Sequence, residues 1–275
     1  MHNIEKSGVL LCPICKSSLT FEGGSLACSG ARRHNFDRAK SGYVNLNTHL
    51  PTSGDDKAMA AARQSFLRKG YYLQFAKALA DAVGSGEVLV DAGCGEGYYT
   101  ELCAENFSAV LGADLSKYAL DLAAKSAKAK GLSDKLFYTA ASVYSLPLAN
   151  ESADCVVNIF APCVEEEYAR VLKNGGKLVV AAAGKKHLHG LKKELYATVT
   201  ENEERRDLPK NMRLCDSASV TYEAEVDGED IRQLFMMTPY FYRTPKEAAE
   251  RLYTLDKLKT VFDFEIKTYI KEDNV

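Results

Sequence analysis

No apolar run of eighteen residues occurs anywhere in the chain, so no segment reads as a membrane-spanning helix. The opening residues MHNIEKSGVL lack the basic and apolar stretches of a secretory signal. Internal repeats and low-complexity segments are missing as well. The net charge of −2 is too small to mark the whole molecule as a partner of nucleic acid. These absences point to a globular, cytoplasmic protein. Without a secretory route, the eight cysteines are expected to be thiols or metal ligands, not disulfides.

What is present begins with size and composition. At 275 residues, with 46% hydrophobic and 26% charged side chains, the chain can bury one large core and carry a small appendage. Charge is spread unevenly. Residues 1–50 hold six basic side chains (Lys6, Lys16, Arg32, Arg33, Arg38, Lys40) and three acids (Glu5, Glu22, Asp37), a balance of +3 against −5 for the remainder. A basic head on an acidic body is compatible with an RNA partner.

Within that head, Cys12, Cys15, Cys28 and His34 form C-x2-C-x12-C-x5-H, the spacing of a small zinc knuckle. Leu19 to Phe21 and Ser25 to Ala27 read as short strands around Gly23-Gly24, a hairpin that brings the two ligand pairs together. So small a piece needs a metal to order it, and a closed four-ligand site is structural, with no position open for a substrate. Cys94, Cys103, Cys155, Cys163 and Cys215 are too dispersed to make a second cluster.

The most informative stretch is VLVDAGCGEGYYT, Val88 to Thr100. A buried strand ends at Asp91, and Gly93, Gly95 and Gly97 follow, leaving the backbone bare where a ligand approaches closely. A second apolar strand, Ala109 to Ser116, carries Asp114, 23 positions after Asp91. Two parallel strands joined by a helix have that spacing, with both acids at the strand ends that bind ligands in doubly wound sheets. A nicotinamide-binding loop requires a third small residue where Tyr98 stands here. The loop therefore resembles that of class I S-adenosylmethionine-dependent methyltransferases. In such a site Asp114 accepts hydrogen bonds from the ribose, Gly93 to Gly97 pass under the methionine, and Ala141-Ser142 flank the adenine. Asp91 orients the loop or the amino group, or else caps the loop; Glu96 shares that role or is a solvated acid.

The remaining pattern is α/β with a mainly parallel, doubly wound sheet. Two helices broken at Gly70 cover Asp55 to Val83, and a helix capped by Ser116 runs to Lys130. Strands are expected at Phe137 to Ala141, Ala153 to Phe160 and Lys177 to Ala183, with a helix at Glu165 to Leu172. Further helices are expected at Leu191 to Glu204 and Asp227 to Leu234, and a last strand, Phe262 to Ile270, at the sheet edge.

CPIC, CSGARRHNFDRAKSGYVNLN, AARQSFLRKGYY, VDAGCGEGYYT, FAPC, GKKHL and FMMTPYFYR together span nearly the whole chain. In this combination the sequence resembles the bacterial rRNA (guanine-N1)-methyltransferases that modify a 23S rRNA hairpin loop. It departs from them in a loop between Cys28 and His34 that is two residues longer. The resemblance implies a zinc-ribbon-like, RNA-recognising module and linker over residues 1–50 and a methyltransferase domain over 51–275. Zinc would be held by Cys12, Cys15, Cys28 and His34. S-adenosylmethionine would contact Tyr72, the loop through Tyr99-Thr100, and His187. A 23S rRNA hairpin would be the partner, and homodimers are common in the family. Phe160, Tyr240 and Phe241 are candidates to stack on an extruded guanine. Asn158 and the Ala161-Pro162 backbone would lie beside that base, and Glu165 or Glu166 could take its proton. Lys185, Lys186, Arg32, Arg33 and Arg38 are candidate phosphate contacts. Two other readings share parts of this pattern: a small-molecule methyltransferase, and a non-catalytic zinc-dependent RNA-binding protein on the same fold.

Overall fold

A computed structural model describes Ile4 and residues 8–48, 54–203 and 211–272, so the boundary expected near residue 50 lies outside the described residues. The head is a three-stranded antiparallel sheet of β1 (Leu19–Glu22), β2 (Ser25–Cys28) and β3 (Asn35–Asp37). Gly23 and Gly24 both take positive φ at the β1–β2 turn, the conformation a two-residue hairpin needs. β4 (Val44–Asn45) then leaves the head and pairs in parallel with β7 (Leu136–Ala140) of the main sheet.

Helices α1 (Lys57–Arg68) and α2 (Leu73–Val83) are separated at Gly70, as expected, where φ is +87°. Asp56 caps α1 by accepting from Met59 N at 2.9 Å. The order continues with β5 (Gly86–Ala92), α3 (Tyr98–Cys103), β6 (Phe107–Asp114), α4 (Lys117–Ala129), β7, β8 (Ala153–Ile159), α5 (Glu165–Val171) and β9 (Leu172–Ala183). It ends with α6 (His189–Leu195), β10 (Met212–Asp227), α7 (Gly228–Met236), α8 (Lys246–Leu252) and β11 (Lys257–Lys271). The eight-stranded sheet has the order β10-β11-β9-β8-β5-β6-β7-β4. It is parallel from β9 to β4, with β10 and β11 antiparallel.

Two of these elements correct the sequence reading. The last strand, β11, is not the sheet edge: it lies between β9 and β10, and β10 forms the edge. β10 (MRLCDSASVTYEAEVD) is exposed through Ser219 after its first residue, where pairing with β11 holds it, while Val220, Tyr222, Ala224 and Val226 alternate onto the core. The helix expected over Leu191 to Glu204 stops at Leu195. Beyond it, Lys192 Nζ donates to Thr200 O and Asn202 Oδ1, and Asn202 Nδ2 donates to Gly184 O at 2.8 Å. These bonds offer the backbone an alternative to the helix.

Alternation along the parallel strands divides the core in two. Leu89, Val110, Tyr138 and Val157 face one cluster with Phe66, Phe75 and Leu120 from α1, α2 and α4. Val88, Val90, Leu111 and Phe137 face the other, together with Ile4, Leu10, Leu19 and Leu26 of the head. The small head thus covers part of the sheet's second face. Leu11 N donates to Pro147 O and Ala149 N to Val9 O, both at 2.9 and 2.8 Å respectively, stitching it to the loop after β7. Each fully buried Phe or Leu contributes roughly 1.5–3 kcal/mol, so docking as well as metal binding stabilises a head too small for a core of its own. No helix among the described residues is long and apolar enough to cross a membrane.

Candidate functional site

β5 is flanked by β6 on one side and β8 on the other. There the strand order reverses, and doubly wound sheets open a crevice at the C-terminal strand ends. A cavity of about 370 Å³ lies at that point, lined by Asp91, Gly93, Gly95, Glu96, Tyr99, Asp114 and Ala141-Ser142 among others.

The glycine loop is built as its sequence suggested. Gly93 N donates to Ala113 O at 2.8 Å, and Gly95 N to Asp114 Oδ2 at 2.9 Å. The φ of Gly93 is +92°, and a Cβ there would stand 2.6 Å from Ala161 Cβ, so the loop closes only with a bare backbone. Gly97 (φ +85°) does not line the cavity; a Cβ on it would meet Tyr138 Oη at 2.6 Å. Asp114 Oδ1 accepts from Ser116 N at 2.7 Å, and burial raises its carboxyl above the usual range.

Asp91 is buried, and its Oδ2 accepts from Thr100 Oγ1 at 2.6 Å. Its Oδ1 has no hydrogen-bond partner. Desolvation, opposed by the Thr100 bond, pushes the carboxyl up to about 7. One buried carboxylate oxygen is thus left for a donor that the described residues do not supply. Glu96 is 2% exposed, which excludes the solvated-acid reading. Burial carries it to about 7 despite Arg68, whose nitrogen is 3.8 Å away.

Tyr72 and His187 come together away from this lining. Asp263 N donates to His187 Nδ1 at 3.2 Å, and burial lowers the imidazole to about 4. The ring is therefore neutral with its proton on Nε2, which faces Tyr72 Oη at 3.2 Å. The pair packs behind Phe160, whose ring centroid is 6.2 Å from that of His187. Phe160 itself lines the cavity, 44% exposed, with φ +52°. A bulky side chain in the left-handed region is strained, and such strain collects at working sites.

The other candidates are placed less favourably. Asn158 is fully buried, its Nδ2 donating to Ala92 O, Pro162 O and Tyr168 Oη; it holds the loop after β8. Glu165 and Glu166 open α5 outside the cavity lining. Phe241 packs on Phe235, and Tyr240 on Tyr196. Arg33 pairs with Glu22, and Arg38 lies over the Phe21 ring, 4.4 Å from its centroid. Arg32, Lys185 and Lys186 are exposed.

Asp55 and Arg63 are wall residues that the sequence reading missed. Arg63 Nε donates to Asp55 Oδ2 at 2.8 Å, and the pair closes one side of the cavity with Leu67. The signal was there: Arg63 and Leu67 are four apart on α1, one face of a helix.

In the head, the ligand atoms of Cys12, Cys15, Cys28 and His34 lie within 4.8 Å of one another. Cys15 Sγ is 3.7 Å from Cys28 Sγ, and His34 Nδ1 is 3.6 Å from Cys12 Sγ and 3.4 Å from Cys28 Sγ. Ligands about 2.3 Å from a common centre at tetrahedral angles stand roughly 3.8 Å apart, so the donor set fits zinc. The longer loop before His34 does not displace it: Cys28 N donates to His34 O at 3.0 Å. No second group of metal-ligating residues occurs among the described residues.

A parallel sheet with a glycine loop at its reversal point, an acid after the next strand and a buried carboxylate short of a donor define a class I S-adenosylmethionine-dependent methyltransferase, here with a structural zinc site. Comparisons agree. A family model described as "Methyltransferase domain" matches residues 90–180, and a zinc-ribbon model described as "RlmA, N-terminal" matches residues 10–52. The YcgJ protein of Bacillus subtilis superposes with a TM-score of 0.53 at 15% identity, covering 72% of this chain and 98% of its own, which is a likeness of fold. The 23S rRNA (guanine(748)-N(1))-methyltransferase of Streptomyces fradiae is 30% identical over 268 residues, 92% of each chain. A relative from Micromonospora griseorubida is 33% identical over 239 residues, 78% of this chain and 77% of its own. The chain belongs to the 23S rRNA (guanine-N1)-methyltransferase family.

Proposed function

We propose that the protein transfers a methyl group from S-adenosylmethionine to N1 of a guanine in a 23S rRNA hairpin loop. The observation that carries the reading is the buried, half-satisfied Asp91 under a bare glycine loop, in a chain whose family and zinc module are those of rRNA methyltransferases. S-adenosylmethionine, when bound, supplies a methyl group on a sulfonium centre, and the protein's task is alignment and exclusion of water.

Each cavity residue has a part in this. Asp114 accepts from the ribose hydroxyls, its remaining lone pairs being clear of the bonds from Gly95 and Ser116. Gly93 and Gly95 let the main chain approach the methionine portion, and Ala141-Ser142 flank the adenine. Asp91 Oδ1 accepts from the ammonium, and Glu96 reinforces the negative field there. Tyr72 and His187, locked together behind Phe160, fix the side of the cavity on which that ring sits. Phe160 offers its exposed face to an extruded guanine. Leu67, Ile159 and Pro162 keep water from the reacting atoms. Zinc holds the head in shape, with Arg32 exposed beside it for phosphates.

The test is methylation of unmodified large-subunit rRNA with labelled cofactor, followed by primer extension. A methyl on N1 blocks base pairing, so a single new stop at a hairpin-loop guanine is expected. Cofactor binding without any label in rRNA rejects the RNA substrate in favour of a small one, and absence of cofactor binding rejects catalysis.

A further inference from the structure

Residues that line a second groove, of about 490 Å³, have been given no role so far. It runs between the segment that leaves the zinc module and the first turns of α1 and α4. Its charged residues are Lys57, Lys117, Lys125 and Asp121. Asp121 is engaged by Lys125 at 2.6 Å, so the groove carries a net charge of +2 on a protein whose total is −2. Tyr118 is 56% exposed, and Tyr43 forms the opposite, half-buried wall. Lys57 and Lys117 are each the first residue of a helix; α1 has the acidic cap Asp56, whereas α4 has the neutral cap Ser116 and no acid in its first turn. Cations are disfavoured at that end of the helix dipole, and no described ion pair offsets the charge of Lys57 or Lys117.

The groove and the cofactor cavity are lined by different residues at the same two helix starts. Ser116, the cap of α4, donates to Asp55 O at 2.5 Å, and Gly54, Asp55 and Ala119 of the same two helix starts line the cavity. Tyr43 immediately precedes β4, the strand by which the head joins the sheet. A chain lying in the groove would therefore run between the segment leaving the zinc module and the helix starts that also border the cavity.

We propose that this groove seats the phosphodiester backbone of the RNA substrate, with Lys57, Lys117 and Lys125 on phosphates and Tyr118 as a stacking platform for one base. The assignment rests on the rRNA reading above and adds to it a path between the recognising head and the reacting centre. Repeated anionic groups with flat bases between them match cations interleaved with an exposed ring.

The experiment uses the full chain with a fluorescent transcript of a 23S rRNA hairpin, followed by anisotropy over a range of salt concentrations. The triple variant Lys57→Gln/Lys117→Gln/Lys125→Gln is expected to bind at least tenfold more weakly at low salt. Its log affinity against log salt should flatten by about 2–3, since each of the three phosphate contacts contributes about 0.7–0.9. Tyr118→Ser should weaken binding roughly 5- to 150-fold, the effect of losing one stacked base. Both variants keep wild-type affinity for S-adenosylmethionine, which reports intact folding. As a measurement independent of any variant, RNA should protect Lys57, Lys117 and Lys125 of the wild type from acetylation, read by mass spectrometry. Wild-type RNA affinity and slope in the triple variant, or equal acetylation with and without RNA, overturns the groove. Failure of the wild type to bind the transcript overturns the rRNA reading itself, and the groove with it.

Discussion

Replacing Asp91 by Asn should make the protein more stable and a worse binder of its cofactor, a pairing of effects that few other readings would produce. In the absence of cofactor the buried carboxyl sits at about 7, against a reference of 3.8. At about 1.4 kcal/mol per pH unit, keeping it ionised above neutrality costs on the order of 4 kcal/mol. Because the folded value lies above the unfolded one, the group's stabilising contribution is complete below about pH 3.8 and is lost as pH rises through 7. Asn retains an oxygen for Thr100 but brings a buried NH2 that needs an acceptor, a cost of about 1–3 kcal/mol. The net gain at pH 8 is therefore about 1–3 kcal/mol, shrinking toward pH 5, where Asp91 of the wild type is protonated. Glu96 titrates in the same window in both proteins, so the difference between them isolates position 91. Binding moves the other way. The ammonium loses a charge-assisted hydrogen bond and meets a donor, lowering affinity roughly 10- to 150-fold. In the wild type, affinity should also fall toward tenfold per pH unit below about 7, as the carboxylate is protonated. Calorimetric titration and thermal melts at pH 5, 7 and 8 read both quantities. Unchanged affinity for S-adenosylmethionine in Asp91→Asn, or a melting temperature lowered equally at pH 5 and 8, would refute the reasoning.

Other perturbations follow from the same geometry. Gly93→Ala forces a Cβ to 2.6 Å from Ala161 at φ +92°, and should cost about 1–3 kcal/mol and more than tenfold in cofactor affinity; adding Ala161→Gly should restore part of the stability, and no recovery would disprove the clash. Asn158→Asp sets a buried anion against the carbonyls of Ala92 and Pro162, so chemical denaturation should show a loss above about 3 kcal/mol; a loss under 0.5 kcal/mol would be incompatible with these contacts. Cys28→Ser should bring metal content, measured by plasma mass spectrometry, below one zinc per chain and weaken RNA binding while cofactor affinity stays within about twofold. Full RNA affinity in zinc-free protein would sever the head from recognition.

Much of the site could be read without coordinates because its signals are local. The glycine triplet, the acid 23 residues after Asp91 and the C-x2-C-x12-C-x5-H spacing each lie within one or two elements, and the strand pattern from Val88 to Ala183 follows from buried apolar runs. β10 escaped because its exposed first half is defined by its partner's main chain and only Val220 to Val226 alternate, and α6 was drawn too long because Lys192 and Asn202 hold the following backbone instead.

By itself, then, the sequence determined the chemistry of the ligand-bearing loop and of the metal knuckle, since short-range spacing and backbone freedom suffice for both. Only the tertiary structure decided that Asp91 keeps one oxygen without a donor, that Tyr72 meets His187, and that Asp55 and Arg63 close the cavity. It also brought Lys57, Lys117 and Tyr43 to one groove. Burial and contact between elements tens of residues apart set those properties, and neither is encoded in any local stretch of the chain.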